Sequence, residues 1–161
     1  AGLILDGTIA ASTTQAAALW ALRENISEAQ KREGVSIKHD ISVPVSEIPR
    51  FIALAGERLE AAYPGLRIVC FGHLGDGNLH YNQSRPVKGE NSAFIERTAE
   101  VNRIVHGLAA ELGGSISAEH GIGQLKRDIL MFYKPPIELE MMKILKRAFD
   151  PEGRMNPGKL L

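Results

Sequence analysis

Gly72-His73-Leu74-Gly75-Asp76-Gly77-Asn78-Leu79-His80-Tyr81-Asn82 is the stretch on which the reading of this 161-residue chain turns. An apolar run, Arg67 to His73, leads into it, small and polar residues crowd its middle, and alternation resumes from Leu79 to Gln83. That order is a hairpin signal. With residues 75 to 78 as a four-residue loop, Leu74 faces Leu79, and His73 faces His80 on one side of the ladder. Directly opposed Cβ atoms lie about 4.5–5.5 Å apart, close enough for two imidazoles to meet on one ion. Asn82, two residues beyond His80, points to the same face. Gly75 and Gly77 permit the positive φ such a loop demands and leave room for a ligand beside the backbone. A cross-strand histidine pair also fits a plain hydrogen-bonded polar rim, so a carboxylate has to decide.

The candidate carboxylate lies in Ser117-Ala118-Glu119-His120-Gly121-Ile122-Gly123, where a short strand meets a glycine-flanked helix start. His73, His80 and Glu119 together would hold a divalent metal on one side and leave other positions open for water or substrate. Zinc, manganese and iron all accept such ligands. Glu119 also fits a carboxylate in a first helical turn, favoured by the helix dipole. Asp76, a rival ligand, sits between two glycines and reads as turn chemistry. His120, with an ordinary pKa near 6.5, is suited to accept a proton at neutral pH. His39 falls on the apolar face of its strand and His106 in the middle of a helix, where both read as packing or surface residues.

A second constellation is cationic. Arg23 and Ser27 are i and i+4 on the first helix and flank its apolar stripe, so both can act on one ligand group. Lys38 lies on the polar face of the strand that follows. A guanidinium fork, a hydroxyl and an ammonium suit a carboxylate. The bland alternative pairs Arg23 with a surface acid and Lys38 with Asp40.

Around these motifs strands and helices alternate. Leu3 to Ala10 reads as a strand, and Ser12-Thr13-Thr14 offers caps for a helix over Gln15 to Lys31 with Leu19, Leu22, Ile26 and Ala29 in its stripe and Gly34 as its stop. Val35 to Val43 alternates with period two, Val35, Ile37, Ile41 and Val43 on one face and Ser36, Lys38, Asp40 and Ser42 on the other. Ser46 caps a helix whose Ile48, Phe51, Ile52, Ala55, Leu59 and Ala62 face inward, up to Tyr63-Pro64-Gly65. Asn91 to Leu112 is predicted as one helix, with Phe94, Ile95, Thr98, Val101, Val105, Leu108 and Leu112 inward. Ser115-Ile116-Ser117 is a short strand, a helix with Leu125, Ile129 and Phe132 inward follows Gly123, and Pro135-Pro136 precedes a last helix, Ile137 to Phe149. The class is α+β, with helices covering one face of a largely antiparallel sheet.

Nineteen Lys+Arg balance nineteen Asp+Glu. Zero net charge with no basic run removes the field that collects phosphate, so nucleic acid is not an expected partner. No apolar stretch approaches the roughly 20 residues that span a bilayer, and no targeting signal is visible. The single cysteine, Cys70, reads as a small buried thiol and permits a reducing compartment. The abrupt start at Ala1 reads as a piece of a longer protein.

Four motifs occur in order: Lys38-His39-Asp40-Ile41-Ser42-Val43-Pro44, Gly72 to His80, Ser117 to Gly123, and Phe149-Asp150-Pro151 with Asn156-Pro157-Gly158-Lys159. Over nearly the whole chain they resemble the C-terminal domain of the FAD-linked oxidases of the vanillyl-alcohol oxidase type, in the D-2-hydroxyacid dehydrogenase branch with D-lactate dehydrogenase, the glycolate oxidase flavoprotein subunit and D-2-hydroxyglutarate dehydrogenase. The resemblance implies a ferredoxin-like α+β domain over residues 1–161, the substrate-side or cap part of a two-domain flavoenzyme whose FAD-binding domain and cap-domain start are absent here. It implies a flavoenzyme oxidising a small D-2-hydroxyacid, with this segment inactive alone. Carried over residue by residue, His73, His80 and Glu119 become ligands to a divalent zinc or manganese, His120 the general base, and Asn82 a substrate contact. Asn156 becomes a cofactor-binding residue, its tail returning towards the flavin domain. Arg23, Ser27 and Lys38 match positions suited to a second substrate carboxylate, which favours a D-2-hydroxyglutarate-like dicarboxylate, with Ser27 standing where Thr is expected. The implied partners are the hydroxyacid, the chain's own FAD domain and an unspecified electron acceptor, a homodimer is compatible, and the implied location is the cytoplasm, or the mitochondrial matrix in a eukaryote. Two other classes compete: a self-sufficient metal-binding or metallohydrolase domain using the same His/His/Glu site, and a non-enzymatic module in which the histidines are structural.

Overall fold

A computed structural model describes residues 2, 4–86 and 89–161. The elements run α1 (Thr13–Glu24), α2 (Ile26–Arg32), β1 (Ser36–Ile37), β2 (Asp40–Ser42), α3 (Ile48–Ala62), β3 (Arg67–Phe71), β4 (Asn78–Ser84), α4 (Asn91–Glu96), α5 (Thr98–Glu111), α6 (Arg127–Tyr133) and α7 (Pro136–Phe149). The class is the expected α+β one. β4 is the central strand, with β1 and β2 antiparallel along one side and β3 antiparallel along the other. Ser115 adds a single antiparallel bridge outside Ser42. Counting β1 and β2 as one strand, the lanes run fourth, first, third, second in chain order, the arrangement of a split βαβ, ferredoxin-like sheet.

The alternation of residues 35–43 carries this architecture. Ser36 pairs with Ser84, Ile37 with Gln83, Asp40 with His80 and Ile41 with Leu79, one continuous register interrupted at His39. There the His39 N–H is bonded to the Asn82 side-chain oxygen instead of a main-chain carbonyl (3.1 Å). Ile37, His39, Ile41 and Val43 are buried, as expected of one strand face. They pack with Phe51, Ala55 and Leu59 of α3 and with Val101, Val105 and Leu108 of α5. A buried leucine or isoleucine contributes about 1.5–3 kcal/mol, so this layer dominates the fold's stability. The opposite face of β4 and β3 is approached by α2, whose buried Gln30 bonds Ser84 and Asn82.

Several expectations change. Leu3 lies outside the described residues, and residues 4–10 form no strand: Ile4, Leu5 and Ile9 are exposed with no ladder to join. The first helix is two, broken at Asn25, and Leu19 and Leu22 are exposed rather than a buried stripe. The third is also two, broken at Arg97, with Ile95 exposed. Ser46 lies within a short 3₁₀ turn, Val45–Glu47, and makes no cap. Leu125 and Phe132 are exposed, at 97% and 83%, and Leu130 (1%) is the residue α6 buries, because the helix begins only at Arg127 and its phase follows from there. Cys70 is exposed, since β3 pairs on one side only and its outer residues lack cover.

Candidate functional site

The hairpin register differs from the expected one. Phe71, not His73, is the partner of His80. The strand ends at Phe71, and the turn is longer than four residues, closed by a 3₁₀ turn over Leu74–Asp76 and by Gly77 at φ 70°. His73 still arrives at the site, in extended conformation at the head of that turn. Its Nδ1 lies 2.7 Å from Glu119 Oε1, and His80 Nε2 lies 3.6 Å from Glu119 Oε2. One carboxylate therefore stands between the two imidazoles. Asp76 is exposed in the turn and takes no part.

The Glu119–His120 peptide owes its position to Asp40. Asp40 Oδ2 accepts hydrogen bonds from the main-chain N–H groups of Glu119 (2.9 Å) and His120 (2.8 Å), and Oδ1 accepts from Asn78 Nδ2 (2.9 Å). The Asp40 carbonyl takes the N–H of Ala118. Burial works to raise the Asp40 carboxyl, but the N–H groups of His120 and Glu119, with the nearby His120 and His80, hold it below the usual carboxylate value. His120 Nδ1 is 3.6 Å from Asp40 Oδ2 and its ring lies 5.7 Å from that of His80. Asp40, His80 and Glu119 each offer a ligand atom within 4.8 Å of the others. Asp40 is the main residue to which the motifs assigned no part in the site; the sequence places it on the polar face of its strand, and only the register sets it opposite His80.

Ser27, Lys38, His80, Asn82, Glu119 and His120 line one cavity of about 550 Å³. Lys38 is exposed along it, and Asp40 bonds N–H donors instead of pairing with Lys38. Arg23 reaches the site through His73, Nη2 to Nε2 3.3 Å, instead of pairing with a surface acid. Asn82 is buried, its oxygen taken by His39 N–H and one N–H given to Gln30, which leaves one N–H for the cavity. Lys126 also lines the cavity; its Nζ bonds the Ile116 carbonyl (2.8 Å), and burial lowers its pKa. Asn156 lies apart, at φ 49° in an exposed tail that returns to the glycine loop through Leu160 N–H to the Gly123 carbonyl. His39 and His106 are buried packing residues with rings 5.0 Å apart.

Two imidazoles sharing one carboxylate thus stand beside a cavity lined by Lys38 and Ser27, on the antiparallel sheet of an α+β fold. The chain belongs to the family of FAD linked oxidases, C-terminal domain, which matches residues 1–160. It is 45% identical to the D-2-hydroxyglutarate dehydrogenase of Stutzerimonas stutzeri over 99% of its length and 34% of the relative's. To the mitochondrial D-2-hydroxyglutarate dehydrogenases of Rattus norvegicus and Arabidopsis thaliana it is 39% and 36% identical, again over 99% of the chain and over 29% and 27% of theirs. The chain thus spans about a third of the length of these relatives. Among the described residues no helix is long and apolar enough to cross a membrane.

Proposed function

We propose that residues 1–161 form the substrate- and metal-binding domain of an FAD-dependent dehydrogenase that oxidises a D-2-hydroxyacid, D-2-hydroxyglutarate before D-lactate or glycolate, to the 2-oxoacid. The names of the relatives support the substrate class. The observation that carries the metal reading is the convergence of His73 and His80 on the two oxygens of Glu119. Two neutral imidazole nitrogens and a carboxylate oxygen are a fitting donor set for zinc or manganese. His73, His80 and Glu119 would hold the metal, which when bound would make the substrate hydroxyl more acidic, and the flavin would accept the hydride. His120 is the proposed base: with Nδ1 turned towards Asp40, Nε2 is left to take the hydroxyl proton. Arg23, Ser27 and Lys38 are proposed to hold the distal carboxylate and Asn82 to orient the substrate, while Asn156 faces the flavin-bearing part. The proposed location is the cytoplasm or the mitochondrial matrix.

Element-resolved metal analysis tests the centre. The chain and its His73→Ala/His80→Ala variant are dialysed against zinc or manganese. Near-stoichiometric metal in the parent, lost in the variant, is expected; equal metal in both would overturn this ligand set.

A further inference from the structure

Asp40 is 3% exposed and lines the same cavity, on the strand that runs beside His80. Three successive amides of one loop, those of Ala118, Glu119 and His120, are bonded to it, the first through its carbonyl and the other two through Oδ2. In the sheet it is the register partner of His80. One residue is therefore fastened to the strand that bears one proposed ligand and to the loop that bears another. Both carboxylate oxygens already accept N–H groups, Oδ1 from Asn78 and Oδ2 from the two loop amides, which suits a scaffold better than a ligand.

We propose that Asp40 is a positioning residue: its buried carboxylate sets the spacing between Glu119 and His80 and aims His120 across the cavity. The role rests on the metal reading above. Residues 117–123 carry Glu119 and His120 on backbone outside any helix or strand, so without a fastening both would sample many positions. Charge-assisted bonds from two consecutive amides to one carboxylate remove that freedom at the cost of burying one charge, which its three N–H partners compensate. Groups that orient metal ligands typically change metal affinity about 10–100-fold when altered.

The test uses the chain as it is. Zinc affinity is measured by titration calorimetry for the parent and for Asp40→Asn, and amide hydrogen exchange is measured on both without metal. The variant is expected to bind zinc at least about tenfold more weakly. Its Ala118, Glu119 and His120 amides should exchange faster, while the core amides of Val101, Val105 and Leu108 keep their protection. A merely structural role would loosen the core along with the loop. Zinc affinity within about twofold of the parent would overturn the positioning role and leave the ligand set standing. A parent that binds no zinc would instead overturn the metal reading, and this role with it. Should Asp40→Asn not fold, Asn78→Ala, which retains the carboxylate but removes one of its donors, is measured in its place, with binding at least about threefold weaker expected and unchanged binding decisive against.

Discussion

Phe71 lies directly across the β3–β4 ladder from His80, their rings 4.9 Å apart. The contact backs the imidazole with a large apolar surface and limits its rotation. Phe71→Ala is therefore expected to leave the fold intact and to weaken zinc binding by about threefold to tenfold, as loss of a group that orients a ligand does. Calorimetric titration beside Phe71→Leu, which keeps the apolar backing, checks this.

Gly77 closes the turn between His73 and β4 at φ 70°, and a Cβ there would collide with the Val43 carbonyl oxygen. Both the left-handed backbone and the close approach exclude a side chain. Gly77→Ala should cost about 2–3 kcal/mol in urea unfolding, with a matching loss of metal affinity because His73 leaves its place.

Leu130 and Leu125 make a paired test of α6. Leu130→Ala should destabilise the chain by about 2–5 kcal/mol, since it empties a buried site, whereas Leu125→Ala should stay within about 0.5 kcal/mol. Equal effects would contradict the helix phase described above.

His39 and His106 are held neutral by burial, at about 4 and about 3. Each binds a proton more readily unfolded, near 6.5, than folded, so the unfolded chain carries more protons between those limits and stability falls as pH drops. Lowering pH from 7 to 5 should cost about 1–2 kcal/mol for each histidine, with His106→Gln removing about half of the combined loss. Urea midpoints across that range measure it. The depressed Asp40 carboxyl adds a loss of the same sign at lower pH.

Lys38 tests the substrate reading on a form of the protein that carries its flavin. Lys38→Ala should raise KM for D-2-hydroxyglutarate at least about tenfold and change KM for D-lactate far less, because only the dicarboxylate has a charge to lose there.

Much of this molecule is legible one residue at a time. Alternation over residues 35–43 assigns Ile37, Ile41 and Val43 to the core and Lys38 and Asp40 to the other face, because side chains in a strand take turns whatever surrounds them. The glycines around Asp76 announce a tight turn for the same local reason, and the histidines and Glu119 that converge on the site stand out by their chemistry. Tertiary structure decided what depends on partners distant in sequence. Residues 4–10 have a strand-like pattern and no strand to pair with. The ladder ends at Phe71 instead of His73, and the turn beyond it is fastened through Gly77 to Val43, just past β2 and far earlier in the chain. Asp40, unremarkable in a polar alternation, becomes the anchor of Glu119 and His120 only because a loop about 80 residues away lays its amides against it. Periodicity is a property of the nearest few peptide units; which carboxylate is buried, and by what, depends on the whole path of the chain.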